Sequence, residues 1–528
     1  MTGVLDVKST AGKRLLVREH TELLIVGAGP AGLSAALEAA RLGMQVVLVD
    51  EHPVDPGLMG LDIPFHFGQR MSGAHRGNAA IVKLAESDPR LAEAFEAGVD
   101  VRLGVAVWGL FAHGLGQRWI EGRVAGLSDG HNVWFMRFDK AILACGRRDL
   151  GLAFPGWELP GVMGVTAADA LLRRYDAFNA RKCAIVGSGV EATTFAKAAL
   201  QAGRDVVALI EVAEAPLDHE GCTQLAEQGV PILTGSMIAR AMGGATGVER
   251  IQCIKLGTEA ASTELECDTV VLAVGAVPAI DLLDVAGARI AFVAEQGGYV
   301  PLTDAEGRTS VPMLFAVGDC VGITAAKTRD PAIAASEGAR AAAAAAVAVA
   351  DHWPPPPDKK EPAASDDEVS KTRMRWAAAV MTVADTETHV CQCEQVSIAD
   401  LLGVQPPRYL RRNQPAMQAR DITTLARDGT LNQDQVKRLT RAGMGTCQGR
   451  RCREQIGAIL ALATNTPLSA IPLPSYRAPV RPLPLSVLAT LEEESALTEN
   501  WHGWFGIEGQ WVPYWELAKE SDQTGSAT

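Results

Sequence analysis

The sequence predicts an α/β chain built on two nucleotide-binding βαβ units and followed by a small, mainly helical domain. Two glycine-rich turns, each between an apolar strand and a helix, predict the first part. Four cysteines in two close pairs beyond a proline-rich break predict the second.

The first turn is Gly27-Ala28-Gly29-Pro30-Ala31-Gly32, after the apolar run 23–26 and before a helical stretch and a second apolar run, 46–49. Gly27 permits the tight turn, Gly29 lets the backbone approach a pyrophosphate, and Gly32 lets the helix pack closely on the strand, with Pro30 and Ala31 opening that helix toward the phosphates. Asp50 closes the second strand where an acceptor bonds the adenosine ribose, with Glu51 as the neighbouring candidate. A purely structural turn is the weaker account, because strand, helix and terminal acid occur together.

The second turn, Gly187-Ser188-Gly189-Val190-Glu191-Ala192, lies within residues 183–211. Its third glycine is Ala192. Laying this unit on the first puts Ile210 where Asp50 stands and leaves Glu211 one residue late. Two readings stay open: a pyridine-nucleotide site, or a retained fold whose ligand site is unused.

Residues 142–146 and 271–275, each an apolar strand ending in glycine, look like crossings between two such domains, and they bracket the second unit. Residues 314–319 end in Gly318-Asp319, which resembles the late motif whose aspartate takes the flavin ribityl hydroxyls. This order predicts a glutathione-reductase-like architecture. Residues 1–150 with 285–350 form a discontinuous FAD domain, and residues 151–284 form an inserted NAD(P)-binding-like domain. Val107 and Gly146 join the candidate cofactor contacts. No CxxC pair stands beside the flavin motifs, which disfavours a disulfide reductase.

At 528 residues the chain exceeds what one core usually serves, and about three domains are expected. A net charge of -13 argues against a nucleic-acid partner. The N-terminus lacks a secretory h-region and no stretch is apolar enough to span a bilayer, so no transmembrane segment and a cytoplasmic location are expected. The Ala-rich run 341–350 is flanked by Glu337, Arg340 and Asp351 and is expected to be a buried helix. In a reducing compartment the ten cysteines point to ligands or buried thiols.

Residues 351–385, opening on Pro354 to Pro357 and then a charged stretch, are expected to form a linker. Beyond them come Cys391-Gln392-Cys393 and Cys447-Gln448-Gly449-Arg450-Arg451-Cys452. Four thiolates from CxC and CxxxxC pairs can converge on one centre. An iron-sulfur cluster uses four such ligands, and structural zinc is the alternative, although zinc pairs usually space both cysteines by two to four residues. Residues 431–442 have helical spacing with Gly443 placed to stop the helix, and another helix is expected to begin near Cys452, its N-terminal amides favouring an anionic cluster.

These features resemble the α subunits of heteromeric opine oxidases, dye-linked L-proline and hydroxyproline dehydrogenases, and hydrogen cyanide synthase. The resemblance rests on the GAGPAG turn, on FPGWELPGV at 154–162, and on VKRLTRAGMG at 436–445 leading into CQGRRC. It implies a bacterioferritin-associated-ferredoxin-like [2Fe-2S] domain at 386–470, with Cys391, Cys393, Cys447 and Cys452 as ligands. It further implies an FAD-containing catalytic β subunit resembling D-amino-acid oxidase, FMN near the subunit boundary, and a role for this chain in relaying electrons to a downstream acceptor. A small third, ferredoxin-like subunit is compatible with the same family pattern.

The sequence departs from the family after residue 53: a GGQ-like turn is replaced by Pro56-Gly57-Leu58-Met59-Gly60, and Gly68-Gln69-Arg70 comes only later. The tail, 471–528, concentrates Trp501, Trp504, Trp511 and Trp515 beside Phe505 and Tyr514. Such aromatics suit either packing on their own domain or docking of another subunit. The expected function is a flavin and iron-sulfur electron-transfer subunit of an amine, imino-acid or opine-oxidising complex. A self-contained NAD(P)H-dependent reductase is the alternative, and a non-catalytic protein with a zinc module is a third.

Overall fold

A computed structural model describes residues 15–52, 77–112, 120, 122–257, 262–354, 368–406, 420–489, 491 and 495. The expected departure at 56–70 and the tryptophan-rich segment 501–515 lie outside the described residues.

The first sheet is ordered Asp100–Leu103, Val46–Asp50, Glu19–Val26, Val133–Leu143, Arg123–Ser128, Ala106–Phe111. Val133–Leu143 serves two roles. Its first half pairs antiparallel with Arg123–Ser128, and its last residues pair parallel with both Glu19–Val26 and Leu314–Ala316. The last pairing brings the chain back to the first sheet after some 170 residues. The central strand residues 23–26, 46–49, 141–143 and 314–316 are buried on both faces, as their continuous apolar sequence requires, whereas the edge strand Asp100–Leu103 is not.

Residues 341–347 of the Ala-rich run end helix Pro331–Val347, whose Ala341, Ala342 and Ala345 are buried, whereas 348–349 leave the helix and Val347 and Val349 are exposed. Small side chains are needed here, because a Cβ on Gly338 would overlap the Ala31 carbonyl of helix Pro30–Arg41. No helix among the described residues is long and apolar enough to cross a membrane.

A second parallel sheet orders Ile232–Leu233, Asp205–Ile210, Lys182–Val186, Thr269–Leu272 and Val162–Gly164. A three-stranded antiparallel sheet, Ser236–Gly244, Gly247–Lys255 and Ser262–Glu266, lies beside it.

The expected linker requires correction. Its later part is helix Glu368–Val383, whose Trp376, Ala379 and Val380 belong to one core with Phe154 and Trp157, with Val186 of the second unit, and with Val390 and Ile456 of the cysteine module. Glu368 and Arg375 are exposed while Arg373 reaches inward to the Ala276 and Gly297 carbonyls, and these charges give the segment the low overall hydrophobicity of a linker. The module therefore shares a core with the second unit. Within it, helix Gln433–Thr440 is shorter than the expected 431–442: Asn432 caps its start, and Arg441 takes a left-handed conformation before Gly443 (φ +81°). Helix Arg453–Thr464 starts directly after its N-cap Cys452, where a helix is expected to begin.

Candidate functional site

A cleft of about 500 Å³ opens at the first glycine turn, and Gly27, Gly29, Pro30, Ala31, Asp50, Glu51, Val107, Gly146, Gly318 and Asp319 all line it. Gly32 does not line it but packs behind, where a Cβ would overlap the Gly27 carbonyl. Gly27 adopts φ +105°, and a Cβ there would overlap the Ala144 carbonyl. Gly29 differs: nothing lies within 4 Å of its ideal Cβ position. The protein leaves that volume empty at the start of helix Pro30–Arg41, where amides and dipole favour an anion.

Asp50 Oδ2 accepts from the Ala28 N–H (2.6 Å), and Oδ1 accepts from the His52 N–H (2.8 Å) and faces His52 Nδ1 (2.9 Å). Burial raises its carboxyl, but the hydrogen bond and charge of His52 outweigh this and leave it below its usual range. Glu51 instead takes Arg481, whose Nε and Nη2 donate to it at 2.5 and 2.9 Å. Burial opposes ionisation of Glu51, yet Arg481 prevails and the carboxyl falls to about 2. At the other side of the cleft, Asp319 pairs with Arg147 Nε (3.0 Å), and Arg147 Nη1 also donates to Glu191 of the second unit. Lys327 Nζ donates to the Gly318 and Gly322 carbonyls (3.1 Å each) and pairs with Glu337, which accepts from the Gly318 N–H (2.9 Å). Neither Arg481 nor Arg147 carried a motif, so sequence reasoning missed both.

The second unit corrects the sequence alignment by one residue. Gly27 N–H donates to Val49 O (2.8 Å) and Gly187 N–H to Ile210 O (2.7 Å), which makes Ile210 the equivalent of Val49 and Glu211 the equivalent of Asp50. A bulge consumes the extra residue: Val206 pairs with Cys183 and Ala208 with Ala184, leaving Val207 unpaired. An acid thus stands at the ribose position, but it is engaged. Ser188 Oγ donates to Glu211 Oε2 (2.7 Å) and the Ala213 N–H to Oε1 (3.0 Å), while the Leu217 N–H donates to Ser188 Oγ (2.9 Å). Ser188 and Glu211 are 0% and 1% exposed, so the segment 211–218 seals the acceptor under its own chain.

The four cysteines come together. Cys391 and Cys393 sulfurs lie 3.9 Å apart, and those of Cys393 and Cys447 3.7 Å apart; the Gly443 N–H points at Cys391 Sγ (3.3 Å). Cys391, Cys447 and Cys452 are buried, whereas Cys393 is exposed. Gly445 has no side chain because a Cβ there would sit 2.5 Å from Cys393 Sγ. The crowding resists ionisation: Cys391 as neighbour pushes Cys393 up to about 11, and Cys393 with burial raises Cys447 further. A cationic centre would relieve that mutual repulsion, so the chemistry of the four donors suits a thiolate-ligated group, although their spacing is not that of a site closed on a metal ion. Among the described residues no group of three or more His, Cys, Asp or Glu side chains has the arrangement that would hold a metal ion. Arg451 lies beside the cysteines. Its guanidinium lies 5.4 Å over the Trp157 ring, and the thiols and Asp149 all act on its charge.

Two dinucleotide folds around a cleft of this form define a flavoprotein-type oxidoreductase. Residues 21–348 match the family model described as pyridine nucleotide-disulphide oxidoreductase, and the chain belongs to that family. Residues 413–491 match the sarcosine oxidase A3 domain. Similarity extends along the chain to an opine oxidase subunit of Rhizobium meliloti, 26% identical over 501 residues, 90% of this chain and 88% of that one. Hydrogen cyanide synthase subunit HcnB of Pseudomonas aeruginosa is 26% identical over 508 residues, 89% of this chain and 99% of that one. Among solved structures, L-proline dehydrogenase from P. horikoshii superposes with a TM-score of 0.56 at 20% identity, covering 90% of this chain and 80% of that one, which shows a shared fold.

Proposed function

We propose that the chain is the electron-relaying subunit of a heteromeric oxidoreductase that oxidises an amine, imino acid or opine-like substrate on a partner subunit. In this reading the first cleft holds FAD and the four cysteines hold a [2Fe-2S] cluster. The partner is an FAD-containing subunit resembling D-amino-acid oxidase, with FMN at the boundary between the two, and the complex works in the cytoplasm. Bound flavin would supply one- or two-electron exchange and the cluster one-electron exchange. The protein's own contribution is placement. Gly29 leaves room for a pyrophosphate, Asp50 offers its carboxylate at the ribose position, and Arg147 ties the flavin-side Asp319 to Glu191 across the two folds.

The observation that carries the reading is the shared core. It seats the cysteine loop on the crossing that borders the cleft: the Arg451 carbonyl abuts Gly151, and Gln455 Nε2 bonds both that carbonyl (3.1 Å) and Val390 O (3.3 Å). Exposed Cys393 gives the module an outward edge for exchange with an acceptor. The sealed Glu211 weighs against the NAD(P)H reductase, whose nucleotide would need that carboxylate.

The test is the spectrum and activity of purified protein. The chain alone should contain FAD and two irons per cluster, show a reducible iron-sulfur signal that Cys393→Ser abolishes, and oxidise neither amines nor NADH. Dye-linked oxidation of proline, hydroxyproline, opines or glycine should appear on co-expression with the flavoprotein partner. Amine turnover by the chain alone, or rapid NAD(P)H oxidation, would overturn the relay.

A further inference from the structure

The acids at the two ribose positions are both capped by their own chain, but by different means. Glu211 is closed in by Ser188, itself 0% exposed, under the segment 211–218. Asp50 is capped by a side chain with room to move. His52 Nδ1 lies 2.9 Å from Asp50 Oδ1, its imidazole is 44% exposed, and both residues line the first cleft.

Counting acceptor positions shows what the cap withholds. An ionised carboxylate offers about four lone-pair positions, two on each oxygen. Oδ1 already takes both donors of His52, the N–H and Nδ1, while Oδ2 takes the Ala28 N–H. One position on Oδ2 is left, whereas a ribose presents two vicinal hydroxyls. Oδ1 regains a position only when the imidazole swings out, and the two hydroxyls then lie across both oxygens. The contact needs a hydrogen on Nδ1, because a carboxylate only accepts, and it is strongest when the ring is an imidazolium. Burial opposes that charge, as does Arg174, which follows helix Val165–Arg173 of the second unit. Asp50 and Glu51 outweigh both, and the ring keeps its proton above the usual range.

We propose that His52 is a latch on the ribose acceptor of the first cleft: an adenosine nucleotide gains its full set of ribose hydrogen bonds by displacing the imidazole from Asp50, so His52 sets how tightly the cleft binds. The inference rests on the reading that this cleft holds FAD. Displacement separates the pair that holds the proton, so binding releases protons. Affinity therefore rises with pH from about 6.5, the ordinary imidazole value, and levels off once the latched ring too is neutral.

The experiment titrates the full-length chain, stripped of flavin, with FAD, ADP and 2′,3′-dideoxy-ADP, for wild type, His52→Ala and His52→Asn. FAD serves for the pH series, because its diphosphate does not titrate near neutrality. Below the imidazole range, at about pH 6, His52→Ala should bind FAD and ADP about two- to fivefold more tightly than wild type, what displacing one partly exposed ion pair costs. Dideoxy-ADP has no hydroxyl to take the vacated oxygen, so it should gain nothing. The Kd of wild type for FAD should fall as pH rises above about 6.5, and that of His52→Ala should stay flat. His52→Asn puts an uncharged donor near the place of Nδ1, so it should keep part of the latch and lose the pH dependence. Weaker binding by His52→Ala would make the imidazole a ligand contact and overturn the latch. An equal gain for dideoxy-ADP, or an unchanged pH dependence in His52→Ala, overturns it as well. A wild type that binds ADP but not FAD removes the flavin reading and leaves the latch standing; one that binds neither overturns both.

Discussion

Replacing the three glycines of the first turn one at a time should separate architecture from ligand binding. At Gly27 (φ +105°) any other residue takes on the strain of a left-handed backbone, about 1–3 kcal/mol. Its Cβ also drives into the main-chain carbonyl of Ala144, which cannot swing aside as a side chain can, adding about 1–3 kcal/mol. Gly27→Ala should therefore cost about 2–6 kcal/mol, a large part of the roughly 5–15 kcal/mol that holds a typical domain. Gly29 sits at φ −80° and ψ −175°, extended backbone open to any residue, with no atom within 4 Å of the new Cβ. Losing a favourable helix-capping residue is offset by the lower entropy of the unfolded chain, so Gly29→Val should stay within about 1 kcal/mol of wild type.

The measurement must use flavin-free protein, because ligand at a hundredfold its Kd adds about 2.7 kcal/mol and would make a binding defect look like a folding defect. Urea unfolding of the stripped proteins, beside a fluorescence titration with FAD, gives both quantities. Gly29→Val should unfold like wild type and bind no FAD; Gly27→Ala should unfold at lower urea. The reasoning fails if Gly29→Val binds FAD normally, or if it unfolds as readily as Gly27→Ala without ligand.

Burial raises Asp149 to about 6, the Thr166 hydrogen bonds opposing and nearby Glu191 adding, so the folded state holds this proton more tightly than the unfolded chain does. The stability it contributes is full below about pH 4 and is lost as pH rises through about 6, by at most about 3 kcal/mol; stability of wild type relative to Asp149→Asn, followed by urea unfolding from pH 4 to 7, should fall across that window, and a flat difference would refute the assignment. Cys393→Ser, at the exposed member of the proposed ligand set, should remove the iron-sulfur signal with under about 1 kcal/mol of destabilisation, whereas Cys452→Ser, inside the shared core, should also lower the thermal midpoint and loosen FAD. Equal melting of the two variants would show that the module does not depend on that core.

Local, contiguous signals were legible. Each glycine turn, the return strand 314–316 and the helix starting at Cys452 are written in adjacent residues whose spacing has one physical use. What escaped were features set by distant contacts. Helix Glu368–Val383 follows prolines and carries many charges, and only packing against helix Arg453–Thr464 reveals which face is apolar. Arg481 is an isolated arginine among prolines until the fold sets it on Glu51. Spacing and resemblance single out Cys391, Cys393, Cys447 and Cys452 as a candidate set, but the contact of Arg451 with Trp157 links segments nearly three hundred residues apart.

The one-residue error in the second unit has the same origin, and correcting it sharpens the choice between functions. Counting along the sequence cannot detect a bulge, because Val207 is an ordinary strand residue; it is the pairing of Val206 with Cys183 and Ala208 with Ala184 that moves Glu211 into the ribose position. By position alone the correction would favour NAD(P)H, yet Glu211 already accepts from Ser188 and Ala213 and is 1% exposed. A dinucleotide would have to break those bonds and lift the segment whose Leu217 N–H is tied to Ser188 Oγ. Gly189 supplies the test, since nothing lies within 4 Å of its Cβ position, so Gly189→Val leaves the fold intact and fills only the space a pyrophosphate would need. In the assembled complex this variant should keep its amine-to-dye rate, its flavin content and its thermal midpoint, in contrast to Gly29→Val in the first unit. A large loss of activity in Gly189→Val, or NADH binding that the substitution removes, would show that the seal opens and that the second fold uses a nucleotide after all.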